Sequence, residues 1–142
     1  MTTDSILLHA TCVAVDNRGL LILGPSGAGK SSLALRLIAL GAALVSDDRT
    51  RVTAEAGRLR ASCPNPDLTG VIEARGVGLL RVPSVRSADI GLVADLGRQE
   101  SERLPPRRTV TIAGVPLALV LHVQKDHFPE ALMLYLRHGR EA

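Results

Sequence analysis

Apolar residues fall in short runs along this chain, and the runs switch between the period of a strand and that of a helix. Ser5 to His9 lead into Ala10-Thr11-Cys12-Val13-Ala14-Val15, which predicts a strand. Asp16-Asn17-Arg18-Gly19 is a turn signal, and Leu20 to Leu23 predicts a second strand directly after it. Strands joined by so short a turn are antiparallel, so the chain opens with a hairpin. From Lys30 to Leu40 the spacing becomes helical, with Leu33, Ala34, Leu37, Ile38 and Leu40 on one face and Gly41 at the stop. Ala42 to Val45 predicts a buried strand that ends on Asp47-Asp48.

The second half is richer in short strands. Residues 50–53 and 58–61 predict a hairpin about Ala56-Gly57, and Ser62 to Asp67, with Pro64 and Pro66, reads as a loop. Val71 to Gly78 and Leu79 to Val82 follow, then a core strand from Ile90 to Leu96. Gly97 to Arg108 is polar and broken by Pro105-Pro106, so it reads as a mobile loop. Residues 109–112 and 115–123 predict a last hairpin about Ala113-Gly114, and Pro129 to His138 a terminal helix with proline in its first turn. Helices and strands interleaved in this way predict one α/β domain over residues 1–142: a mixed sheet with flanking helices around a phosphate-binding loop.

Composition narrows the range of functions. Of 142 residues 46% are hydrophobic, yet there is one Phe, one Tyr and no Trp. The core is therefore aliphatic, and aromatic platforms for stacking nucleic-acid bases are missing, so no nucleic-acid partner is expected. Net charge is +3, and the main basic cluster, Arg103 to Arg108, reads as a solvated loop or a patch for an acidic partner. Cys12 and Cys63 have no spacing for zinc and predict two free thiols in a reducing compartment. The N-terminal stretch, with Asp4 and no basic region, does not read as a leader, and no apolar run approaches a membrane span. A soluble cytoplasmic protein is the expectation.

Chemistry concentrates in Gly24-Pro25-Ser26-Gly27-Ala28-Gly29-Lys30-Ser31, which fits G-x-x-x-x-G-K-[ST] at every fixed position, between a strand and a helix. Glycines let successive N–H groups converge on a phosphate at the helix start. Lys30 reaches the β- and γ-phosphates of a nucleotide, and the Ser31 hydroxyl suits Mg²⁺. Asp47 and Asp48 stand at a strand end one helix later, where a carboxylate acts on metal or on an attacking hydroxyl. Neighbouring strand residues face opposite ways, so the two acids have different tasks. Glu73 and Arg75 share one side of an extended segment that ends in Gly76-Val77-Gly78. They suit metal binding and phosphate neutralisation, or equally a surface ion pair. His9, taken alone, reads as a structural or surface residue, as do His122, His127 and His138.

Together these residues resemble the HPr kinase/phosphorylase family, in its C-terminal catalytic domain. His9 to Val15 is similar to the family's His-Gly-x-x-Val/Leu-x strand, and Gly24 to Ser31 to its phosphate loop. Leu44-Val45-Ser46-Asp47-Asp48 is similar to its Leu-Ile/Val-Ala-Asp-Asp element, and Glu73-Ala74-Arg75-Gly76-Val77-Gly78 to its signature. The resemblance runs over residues 9 to 96 and loosens after that. It implies a fold like that domain and like phosphoenolpyruvate carboxykinase, ATP and Mg²⁺ as cofactors, and serine phosphorylation of the phosphocarrier HPr in a phosphotransferase system. It also implies phosphorolysis in reverse. By the same resemblance Lys30 binds phosphates, Ser31 and Glu73 bind magnesium, and Asp47 or Asp48 moves the serine proton. His9 becomes a catalytic-site residue and Arg75 a phosphate contact.

The resemblance further implies a short form lacking the family's N-terminal domain, and a homo-oligomer, since hexamers are common in the family. Two departures stand out: Ala10 replaces the family glycine, and no Arg-Pro-Gly-Arg segment occurs, residues 121–129 reading Leu-His-Val-Gln-Lys-Asp-His-Phe-Pro. No catalytic arginine is carried over from that segment. A small-molecule kinase and a non-catalytic nucleotide-binding regulator are the rival readings. The acid pair and Glu73 count against the second.

Overall fold

The computed structural model describes residues 4–142; the first three residues of the N-terminal stretch lie outside the described residues. Eleven strands are described: β1 (Asp4–Leu8), β2 (Thr11–Val15), β3 (Arg18–Leu23), β4 (Ala43–Ser46), β5 (Thr50–Glu55), β6 (Arg58–Ser62), β7 (Val71–Ala74), β8 (Gly78–Arg81), β9 (Ser87–Gln99), β10 (Arg108–Ile112) and β11 (Val115–His122). Two helices join them, α1 (Lys30–Ala39) and α2 (Phe128–His138).

The main sheet runs β1-β5-β6-β9-β3-β2-β4, with the β10–β11 hairpin joined to β9 through β11. The 13-residue β9 is its spine. One edge of β9 lies parallel to β3; the other is shared, with β6 on Ser87–Asp89 and β11 on residues 93–99. β2 is antiparallel to both β3 and β4. Both faces of the central strands are covered, which explains their unbroken apolar runs. Val13, Leu20, Ile22, Leu92 and Ala94 face α1 and α2, meeting Leu33, Leu37, Phe128, Leu132 and Leu136. Cys12, Leu21 and Val93 face the other way, into a second core closed by the curling sheet with Val52, Leu59, Leu117 and Leu121. Leu37 is fully buried; truncating it to alanine would cost about 2–5 kcal/mol. Leu40 departs from the expected apolar face, being 42% exposed where the helix ends.

The predicted elements are present with five differences. Residues 5–15 form two strands rather than one approach and one strand: β1 pairs with β5, whereas β2 enters the centre, and the chain changes direction at His9-Ala10. The acids follow β4, which stops at Ser46. Residues 71–81 make a separate two-stranded sheet, β7 with β8, seated on α1 through buried Ile72. The segment after Leu96 continues as strand to Gln99, and the remainder is tied down. Arg108 grips Glu100 with two hydrogen bonds of 2.9 Å, Arg107 donates to the carbonyls of Arg140 and Glu141, and Arg140 donates to that of Pro105. Pro66–Leu68 forms a single 3₁₀ turn inside the expected loop, capped by the Asn65 side chain accepting from the Asp67 N–H.

Cys12 and Cys63 are free thiols. Cys12 is fully buried, and burial pushes its thiol far above the ordinary range. Among the described residues no helix is long and apolar enough to cross a membrane.

Candidate functional site

The glycine-rich loop expected to bind phosphate occupies residues 24–29, between the end of β3 and the start of α1. Gly27 and Gly29 have φ of 83° and 98°, and a Cβ at either would meet nothing within 4 Å. Their glycine identity thus answers the left-handed backbone and leaves the concave side open. At Gly24 the demand is also one of space, because a Cβ there would lie 3.1 Å from that of Ala28 and 3.3 Å from that of Leu96 on β9. No side chain caps the start of α1. Its first N–H groups are left to whatever approaches the loop.

Lys30 is only 7% exposed. Its ammonium donates to the carbonyls of Gly24 at 2.7 Å and Pro25 at 3.0 Å, so the loop holds its own cation in place.

The two acids hold different partners. Ser31 Oγ donates to Asp47 Oδ1 at 2.7 Å, and Thr11 Oγ1 donates to the same oxygen at 3.0 Å. Asp48 instead lies 2.9 Å from His9 Nε2, with the two side chains 69% and 51% exposed. A carboxylate can only accept, so His9 presents an Nε2 proton to it. The Asp48 N–H donates to Thr11 Oγ1 at 3.2 Å. Asp48 has a φ of 68°, uncommon for a residue other than glycine, though Asp tolerates it better than most. A tight turn makes this possible: the Arg49 N–H donates to the Asp47 carbonyl at 2.7 Å, Ser46 Oγ to the Arg49 carbonyl, and buried Thr50 to the Ala10 carbonyl at 2.9 Å. The strand order brings residues 9–11, 31 and 47–48 together, because β2 lies between β3 and β4.

Glu73 and Arg75 are placed otherwise. Glu73 is exposed on β7, opposite exposed Leu79 on β8, while its neighbours Ile72 and Ala74 are buried. Arg75 is exposed in the turn that follows. No hydrogen bond or ion pair among the described residues joins either to the loop or to the acids, and no group of three His, Cys, Asp or Glu side chains converges there.

The donor set near the loop nevertheless fits Mg²⁺: a serine hydroxyl and a carboxylate, both hard oxygens, already 2.7 Å apart. That ion usually takes one or two protein carboxylates and keeps several waters. The open cradle of glycines and the buried lysine fit a polyphosphate.

Thr11 was not singled out by the sequence reading. The available signal was a hydroxyl inside an otherwise apolar run, two residues after His9.

Residues 2–96 match the HPr Serine kinase C-terminal domain. The HPr kinase/phosphorylase of Cupriavidus necator is 35% identical over 132 residues, covering 84% of this chain and 41% of the relative. That of Aromatoleum aromaticum is 36% identical over 129 residues, covering 81% and 41%. The chain thus spans about two fifths of the length of the curated relatives it matches. The solved structure of the HPr(Ser) kinase/phosphatase from Coxiella burnetii superposes with a TM-score of 0.77 at 28% identity, covering 95% of this chain and 96% of that one.

Proposed function

The chain belongs to the HPr Serine kinase C-terminal domain family, and from that membership we propose that it is an ATP- and Mg²⁺-dependent kinase. Its acceptor is a serine of an HPr-type phosphocarrier in a phosphotransferase system. The observation that carries this reading is the division of the acid pair, Asp47 bonded to the phosphate-loop serine and Asp48 to His9.

In this mechanism Gly24 to Ser31 bind the nucleotide phosphates through backbone N–H groups. The Lys30 ammonium exchanges its loop carbonyls for phosphate oxygens. Ser31 and Asp47 would hold the metal, which when bound would supply neutralisation of phosphate charge. Asp48 accepts the proton of the attacking serine hydroxyl, and His9 fixes the orientation of that carboxylate. An acceptor hydroxyl can reach Asp48 because the side chain is open to solvent. Glu73 as a further metal ligand and Arg75 as a phosphate contact rest on the family resemblance alone. Approach of the β7–β8 hairpin to the loop would bring them in.

In phosphorolysis an oxygen of inorganic phosphate attacks the seryl phosphorus and forms pyrophosphate, the bond to the serine oxygen breaks, and Asp48 passes the proton of the attacking phosphate to that oxygen. A cytoplasmic homo-oligomer is the form in which we expect the protein to work.

The test is transfer of labelled phosphate from ATP to HPr, with and without excess inorganic phosphate, in wild type, Asp47→Asn and Asp48→Asn. Wild type is expected to label HPr, to lose that label when phosphate is added, and to fail in both variants. Label on a metabolite and none on HPr would support a small-molecule kinase instead. ATP binding with no turnover at all would support a regulator.

A further inference from the structure

We propose that Thr11 is the positioning residue that sets the two carboxylates relative to each other. This role rests on the kinase reading above. Thr11 is fully buried in β2, the strand between the one that leads into the phosphate loop and the one that leads into the acids. Its hydroxyl has a single proton, given to Asp47 Oδ1 at 3.0 Å, and a lone pair that accepts the Asp48 N–H at 3.2 Å. Both capacities are therefore used, one on each acid. The chain of bonds then runs from Ser31 through Asp47 and Thr11 to the Asp48 backbone, and through the Asp48 side chain to His9.

Each acid has another partner of its own, but among the described residues Thr11 is the side chain that hydrogen-bonds to both. The backbone at Asp48 is left-handed, at a φ of 68°, so its amide direction needs holding. The Thr11 side chain has no exposure, so a side chain that fills the same space leaves no room there for a replacing water. Substitution by valine keeps the volume and removes both hydrogen bonds, leaving the Asp48 amide and one Asp47 oxygen each short of a partner. The consequence is a misplaced base beside a formed phosphate loop, since the loop's own bonds, from Lys30 to Gly24 and Pro25, do not involve Thr11.

Thr11→Val is expected to lower kcat about tenfold to a hundredfold, the scale of a misplacement near 1 Å. The KM for ATP should rise by less than kcat falls, because Asp47 keeps its bond to Ser31 and the loop keeps its own hydrogen bonds. Thr11→Ser, which keeps the hydroxyl, should recover most of the rate. In the free protein, the His9 ring proton and carbon NMR signals should shift in Thr11→Val and return in Thr11→Ser. Should the valine variant fail to fold, Thr11→Ala against Thr11→Ser carries the same contrast.

A valine variant with wild-type kcat overturns the role, as does a serine variant as slow as the valine or alanine one. Unmoved His9 signals also overturn it, and they do so even if wild type transfers nothing to HPr. That last failure would instead sink the proposed function.

Discussion

Two polar clusters in this fold use similar residues for opposite ends. At the loop end, Asp48 and His9 meet with 69% and 51% of their side chains exposed. Just past the C-terminal end of β9, Glu100 is 6% exposed and is gripped by Arg108 through two 2.9 Å hydrogen bonds. The Glu100 carboxylate has its acceptor sites filled by a fixed cation and by the N–H groups of Ser101 and Glu102. Asp48 has one oxygen on a histidine and the other free of protein donors among the described residues. A satisfied carboxylate can only hold a structure together, whereas an oriented carboxylate with spare capacity can take a proton. The contrast separates a strap from a site, and charge alone would not have done so.

The largest expected effect lies at the loop. Lys30→Ala should weaken ATP binding and lower kcat/KM by at least about 10²–10³, as loss of a preorganised phosphate partner does. Titration with a fluorescent ATP analogue reads the first, and steady-state transfer reads the second. Next, Asp48→Asn should lower kcat by about 10²–10⁴ with ATP binding retained. An equal loss in Glu100→Gln would erase the distinction between the two clusters.

Arg108→Ala should lower the urea midpoint and leave ATP affinity unchanged. Arg108 holds the Glu100 carboxyl below the usual carboxylate range, chiefly by their hydrogen bonds. A lowered folded-state pKa gives stability that is present above the unfolded value, near 4.3, and lost as pH falls through the folded one. Wild type should therefore lose more stability than Arg108→Ala between about pH 5 and pH 3, as urea midpoints across that range will show. The smallest effect is expected for Glu73→Gln. Turnover should change little at saturating Mg²⁺ and fall only when the metal is limiting; a loss as large as that of Asp48→Asn would place Glu73 within the site proper.

The loop was legible in the sequence because its chemistry is local: eight consecutive residues carry both the glycines and the cation. The sequence expected the two acids to differ because strand neighbours face opposite ways; they do have different partners, but they lie past the strand, in the turn that follows it. Thr11 was not legible. Its meaning depends on β2 lying between β3 and β4, which brings residues 11, 31 and 47 together. The break between β1 and β2 was hidden for the same reason, because each half answers to a different partner strand. Residues 97–99 looked like loop because their side chains are small or polar, yet β11 pairs with β9 as far as Gln99. The 100–108 segment hid its anchoring in the same way, Arg107 finding carbonyls at the far end of the chain.

Buried Cys12 sits next to Thr11, and Cys63 lies partly open to solvent. The chain thereby contains its own clock for the opening of its central strand. A thiol reagent will mark Cys63 at once and Cys12 only when the second core opens around β2. The ratio of the two rates measures the free energy of exposing the strand that carries Thr11. Bound nucleotide should slow the second rate and leave the first alone.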